Sequence, residues 1–404
     1  DFLHPNLLAD KLQTMLPEGC QGLVAMIRNW TFSLFYILSE LWGSVALSLL
    51  FWRFANDIMK VSEAKRFYSI LGIGANLALL ISGPAIIKAS QIRASLPPGI
   101  DPWGVTLKYL MTMVCVAGIL IMGIYAYINR YVLTDPRFYS EQQPKIQKKK
   151  KPKMSLKESF LFLSKSKYIG LLAILVIAYG ISINLVEVTW KGQLKLQYPD
   201  PNAFSAFMGK FSACTGLISV FMMLFIGGNV IRKLGWKAGA IITPIVLLIT
   251  GLIFFSVILF NNQLAGVISM LGTSPLMIAV TVGALQNIMS KSSKYSLFDP
   301  TKEMAYIPLD QESKVKGKAA IDVVGARLGK SGGSLIQQIL IVTFGSVAVI
   351  TPYIAIILFG IIITWIVSVN SLNKLFLKAQ EKPVQEPKAG AEVKSSTATE
   401  VTSS

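Results

Sequence analysis

Apolar residues in this chain gather into nine long runs separated by polar stretches: Trp30–Phe54, Phe67–Ala89, Val105–Ile128, Tyr168–Val188, Ser205–Val230, Ala238–Phe260, Ala265–Met289, Ala319–Ser346 and Tyr353–Ser371. Each holds roughly 20 residues or more, enough to cross a hydrocarbon core of about 30 Å as a helix. Gly and Ser interrupt the runs, which favours transmembrane helices over barrel strands. The pattern predicts an all-α polytopic membrane protein.

Composition agrees. Of the 404 residues, 53% are hydrophobic and 15% charged, where a soluble chain carries about 25% charge. A soluble enzyme, a secreted disulfide scaffold and a disordered chain are excluded. The net charge of +18 is distributed by topology. Alternate connections hold 28 Lys and Arg against 6 on the opposite side, so the rich side is expected to be cytoplasmic, with Asp1–Arg28 outside and the C-terminus inside. Lipid headgroups account for this charge better than nucleic acid does. No aromatic residues interleave with the basic run Lys148–Lys153, as they would on a base-stacking surface.

The layout implies five regions: an extracytoplasmic loop segment over 1–28, three helices over 29–130, a basic cytoplasmic loop over 131–167, six helices over 168–371, and a disordered cytoplasmic tail over 372–404. Transporters built from two six-helix halves place such a loop between the halves. With three helices before the loop and no methionine at Asp1, the expectation is that nine of twelve helices are present. Cys20, Cys115 and Cys214 are scattered and His4 has no ligand-spaced companion, so no metal site is expected.

Ionisable groups inside the runs are the candidates for function, since each costs about 2.5–3.5 kcal/mol at a helix centre. Glu40 lies about 15 Å into the first run, flanked by small residues that permit close helix approach; it could serve transport or pair with a neighbouring helix for packing. Lys330 lies about 16 Å into the run from Ala319. Lys330, Ser334 and Gln337 follow i, i+4, i+7 spacing, and Arg327, Ser334 and Gln338 follow i, i+7, i+11. Such a cationic stripe faces a watery cavity rather than lipid. Arg327 could instead be only the ion-pair partner of Asp322. Glu187 lies near the outer end of its helix, with Asn184 one turn earlier in the segment but close on the same side; it could be an interfacial residue or a gate. Asn76, mid-helix, could bond a substrate or join two helices.

Two motifs mislead. Gly325–Ser331 resembles a phosphate loop, but it has three residues between its glycines instead of four and lies in an apolar helix. Gly72-Ile-Gly74 sits mid-run without a βαβ unit. No nucleophile–base pair or metal cluster supports bond-breaking chemistry, so the residues point to a secondary transporter of an organic anion, not an enzyme.

Several blocks carry a more specific resemblance: Arg28-Asn-Trp-Thr-Phe, Ser39-Glu-Leu-Trp-Gly, Val61-Ser-Glu-Ala-Lys-Arg-Phe-Tyr, Ile183-Asn-Leu-Val-Glu-Val-Thr-Trp-Lys, Thr301-Lys-Glu-Met-Ala-Tyr-Ile-Pro-Leu-Asp, and Lys316-Gly-Lys-Ala-Ala-Ile-Asp-Val-Val running into Arg327-Leu-Gly-Lys-Ser-Gly-Gly. They resemble the plastid and intracellular-bacterial ATP/ADP translocases, the bacterial members most. The resemblance implies a major-facilitator-like bundle of two halves and exchange of host ATP for bacterial ADP across the inner membrane, by a monomer with no bound cofactor. Its substrate-binding residues would be Lys330, Glu40, Glu187 and Asn76, with Arg327, Asp322, Asn184 and Ser334 in support. The family's first-helix Arg-Asp-x-Lys-Asp block has no counterpart in this chain. Proton-coupled net nucleotide import is the alternative activity, and a non-transporting scaffold the alternative class.

Overall fold

The computed structural model describes residues 4–43, 45, 50–58, 61–135, 158, 166–270 and 272–381. Among them there are helices and no strands. Short helices α1 (Asn6–Met15) and α2 (Gln21–Arg28) come first, so the segment expected as a loop over 1–28 is largely helical. They are followed by α3 (Trp30–Leu41), α4 (Phe51–Ile58), α5 (Val61–Gln91) and α6 (Pro102–Tyr127). Beyond the basic region lie α7 (Lys167–Gln197), α8 (Pro201–Phe221), α9 (Gly228–Leu259), α10 (Asn261–Met270), α11 (Pro275–Ser293), α12 (Asp299–Ala305), α13 (Gln311–Lys318), α14 (Ala326–Phe344) and α15 (Val347–Glu381). The central basic loop, apart from its edges, and the tail beyond Glu381 lie outside the described residues.

Local sequence explains where the long helices begin. The Asp101 carboxylate accepts from the backbone N–H groups of Trp103 and Gly104, both at 3.0 Å, with Pro102 opening α6. Asp200 caps α8 through Ala203 N at 3.0 Å before Pro201, and Ser274 caps α11 through Met277 N at 3.1 Å before Pro275. A capping oxygen followed by proline satisfies one orphan donor and starts the helix with a residue that has no N–H to leave unpaired.

By length and hydropathy, five helical stretches among the described residues can cross a membrane, or six if one bent pair counts as a span. One stretch, Pro201–Leu259, is long enough to contain two of the expected runs and breaks at Gly235, whose φ of 81° lies in the left-handed region. The bent pair is Asn261–Met270 with Pro275–Ala305, at 95°. It replaces the run expected over Ala265–Met289. Instead of ending at Met289, the helix from Pro275 continues through a wider π turn, Lys294–Phe298, into α12.

The densest core lies among α7, α9, α11 and α15, where Trp190, Trp365, Phe254, Leu247 and Leu358 are almost wholly buried. Three side-chain bonds tie α7 and α9 to α11 and α12. Trp190 Nε1 donates to the Val280 carbonyl at 2.9 Å, Trp236 Nε1 to that of Thr301 at 2.8 Å, and the Tyr168 hydroxyl to that of Ala305 at 2.7 Å. Each gives a large aromatic body to the core while satisfying its polar tip. α15 runs ten residues past the expected end of its span. Leu372 and Phe376, one turn apart, bury their side chains there, and Phe376 stacks on Trp236 with ring centroids 4.9 Å apart. Residues 372–381 are therefore packed helix, not tail.

α5 lies along α8 at a backbone-to-backbone approach: a Cβ on Gly83 would come within 2.6 Å of the Gly209 carbonyl oxygen. Small residues at such crossings let membrane helices gain dispersion contact that lipid would otherwise supply. A second tight seam joins the π turn Met222–Gly227 to Lys294–Phe298, where a Cβ on Gly227 would collide with the Ser296 carbonyl. By contrast α6 turns residues such as Ile119 and Met122 outward, as a lipid-facing helix does.

Candidate functional site

Three lysines gather around Glu187 in α7. Its Oε1 lies 3.0 Å from Nζ of Lys191, one turn later, and 3.7 Å from Nζ of Lys291 in α11. Lys330 in α14 is close enough to act electrostatically on both Glu187 and Lys291. Three lysines thus share one carboxylate, leaving two positive charges in excess. Glu187 and Lys291 are both largely enclosed, with side-chain exposures of 27% and 25%.

Lys330 is positioned by packing. Gly180 of α7 and Gly329 of α14 meet so closely that a Cβ on Gly180 would stand 2.9 Å from the Gly329 Cα. One turn on, a polar seam holds the same two helices. The Asn184 amide nitrogen donates to the Ser334 hydroxyl at 3.1 Å, and Gln337 Nε2 donates to the Asn184 side-chain oxygen at 3.0 Å. Buried Gln337 and Gly333 occupy the side of α14 that faces α7, while Lys330, Arg327 and Ser334 are exposed. The stripe read from the sequence is therefore split between a helix contact and an open face.

The other candidates stand apart. Asp322 accepts from Lys302 at 2.8 Å, an ion pair 25% and 15% exposed, and this pairing replaces the Arg327 partnership considered from the sequence. Glu303 extends this group, 3.5 Å from Lys302 and 2.5 Å from Lys318. Asn76 is buried, and its amide donates to Gly72 O at 3.0 Å and approaches the Met223 sulfur at 3.8 Å. Glu40 is exposed on α3, a helix with no buried residue. The structure brings Glu187, Lys330, Asn184 and Ser334 into one neighbourhood and leaves Glu40, Asn76 and Asp322 outside it.

Sequence reasoning missed Lys291. It falls just beyond the apolar run ending at Met289, where the sequence pattern reads as one of the Lys-rich cytoplasmic connections; the structure places it on a helix instead. Lys291, Lys294 and Lys302 all lie on the continuous helical stretch Pro275–Ala305, and Lys291 sits about 24 Å along it, near the middle. The available signal was Asn287 and Ser290 beside it, which extend a polar helix face rather than open a loop. A cavity of about 760 Å³ opens elsewhere, lined by Ser90, Arg93, Asp200 and Asn202. It shares no residue with the lysine cluster, and the 2.9 Å Arg93–Asp200 ion pair supplies its charge balance.

The sequence as a whole matches a known family. The profile of the TLC ATP/ADP transporter family matches residues 1–376. The chain belongs to that family. ADP,ATP carrier protein 1 of Chlamydia trachomatis is 63% identical over 385 residues, covering 95% of this chain and 73% of the relative. The chloroplastic ADP,ATP carrier protein 1 of Arabidopsis thaliana is 52% identical over 396 residues, 98% of this chain and 62% of the relative. ADP,ATP carrier protein 1 of Rickettsia bellii is 44% identical over 383 residues, 93% and 74% of the two chains. No solved structure matches. With that membership and its several long apolar helices, the chain is a multi-pass membrane protein.

Proposed function

We propose that the protein exchanges external ATP for internal ADP across a bacterial inner membrane by alternating access, working as a monomer with its C-terminus in the cytoplasm. The observation that carries this reading is the excess of two positive charges around the largely enclosed Glu187, within a bundle of long apolar helices. Polyphosphates carry several negative charges, and ammonium groups in a low-dielectric site bind them strongly without specifying a base. Membership in a family whose relatives are named ADP,ATP carriers supplies the nucleotide.

In this reading the bundle is major-facilitator-like, with residues 29–130 in one half, 168–371 in the other and the basic region 131–167 between them. Lys330 contacts phosphate, Glu187 holds the lysines while no nucleotide is bound, and Glu40 and Asn76 contribute from the other half. Arg327, Asn184 and Ser334 support the site from α14 and α7, and Asp322 acts at a distance from it, through the helix that carries Lys302. Exchange between ATP and ADP needs similar affinity for both and a high barrier to return of the empty carrier. No bond is broken, so no enzymatic activity is assigned.

Uptake of labelled ATP into liposomes bearing the protein, preloaded with ADP or left empty, tests the proposal. Uptake that requires internal ADP supports exchange. Equal uptake into empty vesicles that rises with an inward proton gradient replaces exchange with net import, for which Glu40 is the available proton carrier. No nucleotide uptake under either condition overturns the reading.

A further inference from the structure

We infer that Lys291 is a second phosphate-binding residue, held on Glu187 in the empty carrier and transferred to the nucleotide polyphosphate when it binds. The inference rests on the nucleotide reading above and adds to it a residue and an order of events.

The first argument is local charge balance. A buried ammonium is tolerated when its partner neutralises and hydrogen-bonds it. The protein shows what such a pair looks like: Lys302 and Asp322 meet at 2.8 Å, with Lys302 only 15% exposed. Lys291 is different. It stands 3.7 Å from the same Glu187 oxygen that Lys191 approaches at 3.0 Å. At that distance it has electrostatic attraction without a hydrogen bond. One carboxylate is divided between two lysines within 4 Å and a third, Lys330, acting on it from α14. Lys291 therefore remains available to a better anion.

The second argument concerns its surroundings. The Lys291 ammonium lies 5.2 Å from the centre of the Phe211 ring, a contact that steadies a cation while leaving its hydrogen-bonding capacity free. On the same helix, within five residues, the Asn287 amide oxygen and both polar atoms of the Gln286 amide are fully buried and have no hydrogen-bond partner among the described residues. Unpaired polar atoms at this depth are costly unless something is bound among them. Asn287 lies one turn before Lys291, on the same side of α11.

The third argument is stoichiometric. Three lysines and one glutamate match a ligand group of two or more negative charges. A monoanion would leave the site cationic. With Glu187 in place the excess of two charges matches two phosphate charges; any further charge of a polyphosphate competes with Glu187 for the lysines, which makes binding an exchange of one counter-ion for another.

Equilibrium ATP binding to the purified, monodisperse protein tests this with five forms: wild type, Lys291→Gln, Lys291→Arg, Glu187→Gln and the double variant Glu187→Gln/Lys291→Gln. Removing a charge-assisted contact is expected to weaken binding about tenfold or more in Lys291→Gln, with most of it restored in Lys291→Arg. Glu187→Gln removes the competing carboxylate and should tighten binding. The double variant decides the matter, because interacting residues do not add. If the gain works through Lys291, the double variant binds no better than Lys291→Gln. If it keeps the whole gain of Glu187→Gln, Lys291 does not touch phosphate and the inference is overturned. It is equally overturned if Lys291→Gln binds ATP as wild type does, or if both single variants weaken binding and the double recovers it, as a structural ion pair would. Wild-type protein that binds no ATP removes the nucleotide reading itself, a result separable from all of these.

Discussion

Gly180 and Gly329 touch backbone to backbone: a Cβ on Gly329 would lie 3.0 Å from the Gly180 Cα and 2.9 Å from the Ile177 carbonyl oxygen. This contact sets how near Lys330, the next residue, comes to Glu187. Gly329→Ala should push α14 from α7 and cost about 1–3 kcal/mol through overpacking. Thermal unfolding of the purified protein reads the loss of stability. Nucleotide exchange should fall further than stability does, because the cation moves with its helix.

Lys330→Gln removes the exposed cation of α14 without touching its packed face. The concentration of ATP giving half-maximal exchange is expected to rise about tenfold or more, as for loss of a charged hydrogen bond. Lys330→Arg should keep part of the affinity. Initial rates in preloaded liposomes measure both, and an unchanged Lys330→Gln carrier would remove the phosphate role.

The Lys302–Asp322 pair predicts an asymmetry. Asp322→Asn leaves a poorly exposed ammonium with only Glu303, among the described residues, within ion-pair reach, and should cost about 1–3 kcal/mol. Replacing both residues by apolar ones of similar volume should cost less than that single change, since the desolvation of both charges is relieved together. Unfolding midpoints of the three variants check the order.

Phe376 separates packed helix from tail. Phe376→Ala leaves Trp236 without its stacking partner and should destabilise the protein by about 3–5 kcal/mol. The next residue, Leu377, is half exposed, and its replacement by alanine should change the unfolding midpoint little.

Much of this architecture is legible in the residues. Apolar run length places most of the long helices, because lipid accepts little else, and family blocks around Glu187 and Lys330 mark both sides of the lysine cluster. What escapes the sequence has physical causes. A hydropathy window ends where polar residues begin, so it stops at Met289 and leaves Lys291 to a loop, although a buried polar face continues the helix through Asn287 and Ser290. Asp322 and Lys302 are twenty residues apart on different helices, and only their packing selects that pairing over Arg327. Leu372 and Phe376 lie among polar residues and lysines, so their burial depends on a surface, Trp236, that local composition does not contain. Asn76 reads equally well as ligand or helix joint. In the fold its amide is turned to its own helix and to Met223.

The seam between the two π turns has a mechanical meaning. A π turn holds one residue more than an α turn, so its backbone stands out from the helix line. At the Gly227–Ser296 seam two such turns meet backbone to backbone, and any side chain at position 227 would have to part them. The two helices are thus gauged against each other at a single point whose spacing is fixed by the absence of one carbon atom.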